Sequence, residues 1–206
     1  MADLPTYQYE RKLQSKGYST IAGVDEVGRG PIAGPVYAAA VILDPNHIPT
    51  GLNDSKKLSA KKRNLISEQI IKHADVSIAS ASEREIEELN ILRASHLAMM
   101  RAIDGLKSTP NHVLIDGNLL PHDLTIPATA LIKGDTRSVS IAAASIMAKI
   151  SRDLIMCDLG QQFPGYGWDK NAGYPTKQHL NALQDLGVTP HHRRTFKPVY
   201  NILYQE

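Results

Sequence analysis

Cysteine is nearly missing from this 206-residue chain. The one present, Cys157, leaves no internal disulfide to staple the fold. A chain of this length buries a core without staples, and the lack fits a reducing compartment. Cys157 falls in an expected helix as a small packing residue, with no basic or glycine-rich neighbourhood to activate its thiol. Long apolar runs are missing too. The longest, from Val36 to Leu43, is far short of the ~20 residues a membrane-spanning helix needs. The opening residues Met1-Ala2-Asp3-Leu4-Pro5 hold an acid and a proline and no apolar stretch, so no signal peptide is expected. These absences lead to the expectation of a cytoplasmic protein with no membrane partner. Strong net charge is also lacking: 23 Lys and Arg stand against 21 Asp and Glu, for +2. That balance alone says little about nucleic acid.

Several catalytic signatures are absent. No Cys pair and no helical His pair is spaced for zinc. Gly28-Arg29-Gly30-Pro31 is glycine-rich but lacks the Lys-Ser/Thr ending of a phosphate-binding loop, and no dinucleotide fingerprint or Gly-x-Ser-x-Gly elbow occurs.

What the chain does have is acid in places that should bury it. Ile21 to Val24 reads as the end of a core strand, and Asp25-Glu26 follow directly, before a turn of glycines and Pro31. Adjacent carboxylates at a strand end cost desolvation and repel one another, and a cation would offset both costs. Asp116 follows the apolar run His112-Val113-Leu114-Ile115, and Asp135 follows Leu131-Ile132-Lys133-Gly134. Either alone is more often a turn former than a catalyst. Together, four carboxylates at strand ends suit a hard divalent cation, Mg2+ or Mn2+. Two such ions about 3.5–4 Å apart can hold a phosphodiester between them. Asp153, in Lys149-Ile150-Ser151-Arg152-Asp153, reads instead as a helix-surface charge. Basic residues cluster at Lys56-Lys57, Lys61-Lys62-Arg63 and His191-His192-Arg193-Arg194; such runs are solvated faces about as often as binding surfaces.

The expected elements alternate. An arm or short helix covers 5–16. Strands are expected at 21–26, 35–43, 76–81, 113–116 and 125–132. A helix capped by Ser59 spans 60–73, with Leu65, Ile66, Ile70 and Ile71 inward. The Ser82/Glu85 pair opens a long helix to about 106, with an inner stripe of Ile86, Leu89, Leu92, His96 or Leu97, and Met100. Further helices are expected at 138–161, with Ile146, Ile150 and Leu154 on one stripe, and from Pro175 to Leu186, ended by Gly187. The pattern describes an α/β fold, a mixed β-sheet flanked by helices with a C-terminal helical layer. One domain is expected, with its core at about 20–160 and an appendage at about 161–206. In open α/β sheets the active site gathers at strand ends, where the acids lie.

The chain resembles the ribonuclease HII family, the bacterial type 2 ribonucleases H. The resemblance rests on Gly23-Val24-Asp25-Glu26-Val27-Gly28-Arg29-Gly30-Pro31, Ala33-Gly34-Pro35-Val36, Asp54-Ser55-Lys56-Lys57-Leu58, Ile115-Asp116-Gly117, and Lys133-Gly134-Asp135. It continues through Ser140 to Ile146, Ala148-Lys149, Arg152-Asp153, Gly173-Tyr174-Pro175-Thr176 and His192-Arg193-Arg194-Thr195-Phe196, in family order over about 20–200. It implies an RNase H-like fold. It implies endonucleolytic cleavage of RNA–DNA hybrids and of ribonucleotide-containing duplex DNA, 5′ to the ribonucleotide, leaving 3′-hydroxyl and 5′-phosphate ends. It assigns Asp25, Glu26, Asp116 and Asp135 as the metal-binding, catalytic acids, with two Mg2+ or Mn2+ ions during catalysis. Gly28-Arg29-Gly30 would read the 2′-hydroxyl, and Tyr174 would stack on the deoxyribose on the 3′ side. Without the resemblance, Tyr174 reads as a staple before Pro175. Lys56, Lys57, Lys149, Arg193 and Arg194 are candidate phosphate contacts. One departure stands out. The family pattern has a His-Lys-Gly-Tyr type segment here, whereas this chain has Asp169-Lys170-Asn171-Ala172-Gly173-Tyr174, an insertion that bears on where Tyr174 is presented. A monomer is expected, and no recruitment peptide is evident near Gln205-Glu206. Two other functions stay open: a hybrid-binding protein that has lost cleavage, and a nuclease for DNA junctions or long hybrids.

Overall fold

Ile21–Val27 forms β1, the middle strand of a five-stranded sheet in the order β3-β2-β1-β4-β5. The computed structural model describes residues 4–204, so the expectations for Met1-Ala2-Asp3 and Gln205-Glu206 lie outside the described residues. Ahead of β1, the arm holds α1, Gln8–Gln14. Strand β2, Val36–Ile42, runs antiparallel to β1, pairing Asp25 with Ala39. Its run of small and β-branched residues is buried on both faces, as a central strand requires. Helix α2, Ala60–His73, starts where the Ser59 hydroxyl accepts from the Lys62 amide. Strand β3, Asp75–Ala81, closes that edge of the sheet.

The long helix expected after Ser82 is two helices, α3 at Glu83–Leu89 and α4 at Ile91–Asp104. The Ser82/Glu85 capping box is present. The break falls at Asn90, with φ +68, whose side chain accepts from the Leu92 and Arg93 amides and so starts α4 afresh. The new axis changes the buried stripe to Ala94, Ser95, Ala98, Met99, Ala102 and Ile103. Small residues there let α4 press closely on β2 and β3. On α2, Leu65 and Ile71 are exposed and only Ile66, Ser67 and Ile70 are buried.

Strands β4, His112–Asp116, and β5, Ala128–Leu131, extend the sheet in parallel on the other side of β1. Helix α5, Val139–Gln162, crosses the opposite face from α4 and buries its alanine-rich first half against β1 and β2. Leu154, expected on the inner stripe, is exposed. The second half of α5 carries the C-terminal layer: α6, Trp168–Asn171; α7, Lys177–Leu186; and α8, Lys197–Tyr204. Met156, Tyr166, Trp168, Leu183 and Val199 form its core. Helix α7 begins two residues after Pro175, capped by Thr176.

Candidate metal centre and substrate face

Strand alternation sends neighbouring side chains to opposite faces. Val24 and Ala22 pack in the cluster that includes Ala94 and Ala98 of α4, so Asp25 points to the α5 side. There it lies nearly buried, beside the Ser145 hydroxyl of α5. The parallel register of β1 and β4 sets Val24 level with Ile115, which places Asp25 and Asp116 side by side at the strand ends. After β5, Lys133 turns the chain through a left-handed residue into a 3-10 turn, Gly134–Thr136, that carries Asp135. The Gly134 amide donates to Asp116 Oδ1 at 2.6 Å, tying the Asp135 turn to the end of β4. Glu26 leaves β1 on the α4 side and shares with Asp116 a cavity of about 260 Å3, lined also by Arg29, Ser95, His96 and Asn118.

The charge of Asp25 is felt against those of the other three acids. Burial pushes the Asp25 carboxyl well above its ordinary range, and the charges of Glu26, Asp116 and Asp135 add to the shift. Glu26 is raised by burial, with Arg29 opposing and Asp116 adding. Asp135 is raised by burial, by Asp116 and by Asp54, with Lys56 opposing. Arg29 lies 3.5 Å from Glu26 and is half exposed. Among the described residues, no three acid, His or Cys side chains close into a ligand cage. Asp25 and Asp116 each spend Oδ1 on a backbone amide, of Glu26 and Gly134 respectively. An all-oxygen donor set in a poorly solvated recess, with negative charge left over, fits a hard divalent cation.

The glycine turn beside the acids is held from within. Arg193 is fully buried, and its guanidinium donates to the carbonyls of Gly28, Arg29, Pro31 and Gly34 at 2.6–3.1 Å. Arg152 reaches the same loop from α5, donating to the carbonyls of Ala33 and Pro35, and ties it to the segment after α6 by donating to the Ala172 carbonyl. Gly28 has φ +98, and a Cβ there would fall 2.2 Å from Arg152 Nε, so glycine is required twice over. The expectation of a phosphate contact at Arg193 is therefore corrected: its donors are committed to the loop and no face of it reaches solvent. Burial, with the charge of Arg152, lowers its pKa to about 9, which leaves it charged at neutral pH.

Tyr174 is exposed on one side, and a Cβ at Gly30 would lie 3.2 Å from its ring. Despite Asn171-Ala172, the loop sets Tyr174 against the glycine turn. The Asn171 side chain stitches the loop by donating to the Tyr166 carbonyl and accepting from the Gly173 amide. The Tyr174 carbonyl accepts from His179 Nδ1 at 2.9 Å. That bond makes Nε2 of His179 an acceptor, and Trp168 Nε1 and His192 Nε2 both donate to it. Burial, with His179 close by, pushes His192 down to about 3, so the pair is neutral.

The other basic candidates divide. Lys56 is exposed and close enough to Asp135 to lower its pKa; Lys57 is exposed beside it. Lys149 is paired with Asp153 at 2.6 Å, and Arg63 lies within 3.9 Å of the same carboxylate. Arg194 is exposed but faces a groove with Glu87, Tyr200 and Tyr204, away from the acids. Sequence reasoning missed Arg152 and Ser145 as supports. The available signal was polar side chains on an otherwise apolar face of α5.

A five-stranded mixed sheet in the order β3-β2-β1-β4-β5, with helices on both faces, defines an RNase H-like fold. Residues 22–199 match the family described as Ribonuclease HII. The chain belongs to the ribonuclease HII family, and is thus an endoribonuclease that cleaves the RNA of RNA–DNA hybrids. It is 65% identical to the Ribonuclease HII of Ruegeria pomeroyi, over 98% of this chain and 86% of the relative. Among solved structures it resembles the ribonuclease H2 of Pyrococcus horikoshii OT3, with a TM-score of 0.74, 26% identity, and 89% of this chain and 97% of that one covered. The fold also matches Bst-RNase HIII in complex with Mn2+, with a TM-score of 0.67 at 21% identity, covering 89% of this chain and 69% of that one.

Proposed function

We propose that the protein cleaves 5′ to ribonucleotides embedded in duplex DNA, as well as within longer hybrids, by two-metal phosphodiester hydrolysis. The observation that carries this reading is Asp25, nearly buried and surrounded by the charges of Glu26, Asp116 and Asp135. These four side chains would hold Mg2+ or Mn2+. Two bound divalent ions would supply charge that lowers the pKa of a water and stabilises the leaving oxygen. The water oxygen bonds to phosphorus as the bond from phosphorus to the 3′-oxygen breaks. The products carry a 3′-hydroxyl upstream and a 5′-phosphate on the ribonucleotide.

The protein's own groups select the site of cleavage. The turn at Gly28-Arg29-Gly30 lets backbone approach a sugar closely, and the 2′-hydroxyl is what separates RNA from DNA. Tyr174, flush with Gly30, offers a ring face to the next sugar, so that a deoxyribose there marks a junction. Lys56, exposed beside Asp135, is the side chain this reading assigns to a phosphate next to the acids.

The test is a duplex carrying one ribonucleotide, run beside an all-DNA control and a long hybrid, with Mg2+ and with EDTA. Cleavage of the first and third but not the second, stopped by EDTA, supports the reading. In the same assay Asp116→Asn folds but loses activity by at least about 10²–10³-fold. Full activity in that variant, or cleavage that survives chelation, contradicts it.

A further inference from the structure

Glu10 is a fully buried carboxylate that the chemistry above does not use. It lies on α1, ahead of the segment that matches the family. Its Oε1 accepts from the Ser138 hydroxyl at 2.6 Å and from the Ser140 amide at 3.1 Å. Ser138 is the N-cap of α5, and its own oxygen accepts from the Ile141 amide. The Val139 amide donates to the Thr6 carbonyl. The first three amides of α5 are thus satisfied by Thr6, Glu10 and Ser138, and two of those three partners come from the N-terminal arm. A helix start left without partners is costly, and a carboxylate there is favoured by the helix dipole.

The arm grips the same stretch at further points. The Thr6 amide donates to the Arg137 carbonyl at 3.1 Å, and Arg137 donates to the Tyr9 hydroxyl while lying over its ring. What the arm grips is the exit of the Asp135 turn. The amides of Arg137 and Ser138 both donate to the Gly134 carbonyl, and the Gly134 amide holds Asp116. Glu10 therefore reaches Asp116 through two intervening residues, Ser138 and Gly134, and Asp135 lies inside that chain of contacts.

Taking Asp116 and Asp135 as cation ligands, as proposed above, we infer that Glu10 is a positioning residue for the metal site: from the N-terminal arm it fixes the start of α5 and so the turn that carries Asp135 and holds Asp116 at the end of β4. Groups that orient metal ligands from behind change metal affinity by about 10–100-fold when removed.

The test is calorimetric titration of Mn2+ into the wild type, Glu10→Ala, Glu10→Gln and Asp135→Asn, well below their melting temperatures, with circular dichroism to confirm folding. Glu10→Ala weakens Mn2+ binding by about 10–100-fold. Glu10→Gln recovers most of that loss, because its Oε1 still accepts from Ser138 and Ser140. An arm that only adds stability would lower the melting temperature of Glu10→Ala and leave Mn2+ binding unchanged. That result, with binding weakened in Asp135→Asn, overturns the role of Glu10 and spares the metal site. Binding unchanged in Asp135→Asn overturns the metal site and the role of Glu10 with it. If Glu10→Ala does not fold, Ser138→Ala carries the test: weakened binding in the folded variant supports the role, and unchanged binding overturns it.

Discussion

From inside the protein, Arg193 donates a hydrogen bond to the carbonyl of Gly28 at 2.6 Å, at the turn that lies beside the acids. Three further carbonyls of the same loop depend on this guanidinium. Its charge serves the backbone, and a basic residue of the substrate face would behave differently when removed.

Arg193→Met leaves buried carbonyls without donors, so it should destabilise the protein by about 3 kcal/mol, seen as a lower urea midpoint. Lys56→Ala should leave the midpoint alone and reduce the slope of log affinity against log salt by about one for a ribonucleotide-bearing duplex. A milder variant, Arg193→Lys, still folded, should keep the full salt slope. A reduced slope in Arg193→Lys would mean that the side chain does reach phosphate.

Gly30→Ala places a methyl 3.2 Å from the Tyr174 ring, tight enough to push the ring back a few tenths of an ångström. The variant should fold, and lose more activity on a single ribonucleotide in DNA than on a long hybrid. Equal losses on both substrates would remove the role of Tyr174 at the junction. Gly28→Ala is the harsher change, through both its positive φ and the Arg152 contact, and should lower stability as well.

Acid should loosen the C-terminal layer through His192. Its folded pKa of about 3 lies below the ordinary value of 6.5, so between those values the unfolded chain binds more protons than the folded one. Stability from this group is complete above pH 6.5 and falls as the pH drops toward 3. The wild type minus His192→Asn difference in melting temperature, measured from pH 7.5 to 4, isolates the effect from the carboxylates. It should shrink as the pH falls; a constant difference would show that His192 does not titrate as described.

Much of the fold was legible because local chemistry and tertiary packing agree. The buried run of β2, the Ser59 cap and the Ser82/Glu85 box each specify their element from nearby residues. The helix break at Asn90 was not legible, since Asn-Ile-Leu reads as helical until the Asn90 side chain is seen capping α4. Of the site, the strand-end positions of Asp25 and Asp116 follow from the apolar runs before them. Which acids share a face did not, because that depends on the register between β1 and β4. Nor could spacing reveal that Arg193 turns inward while Arg194 stays exposed: adjacent basic residues read alike until the carbonyls of a distant loop are placed around one of them.

The central claim is that Asp25, Glu26, Asp116 and Asp135 together form a cation site at the cost of mutual repulsion. The most direct measurement is the melting temperature of the wild type and Asp25→Asn, each with EDTA and with saturating Mn2+. Asp25→Asn should melt higher than the wild type in EDTA, since a buried charge and its repulsions are gone. Mn2+ should raise the wild type, by about 2.7 kcal/mol of stability at a hundred times the dissociation constant, and leave the variant almost unmoved. An equal rise in both proteins, or a lower melting temperature for Asp25→Asn in EDTA, would contradict the account.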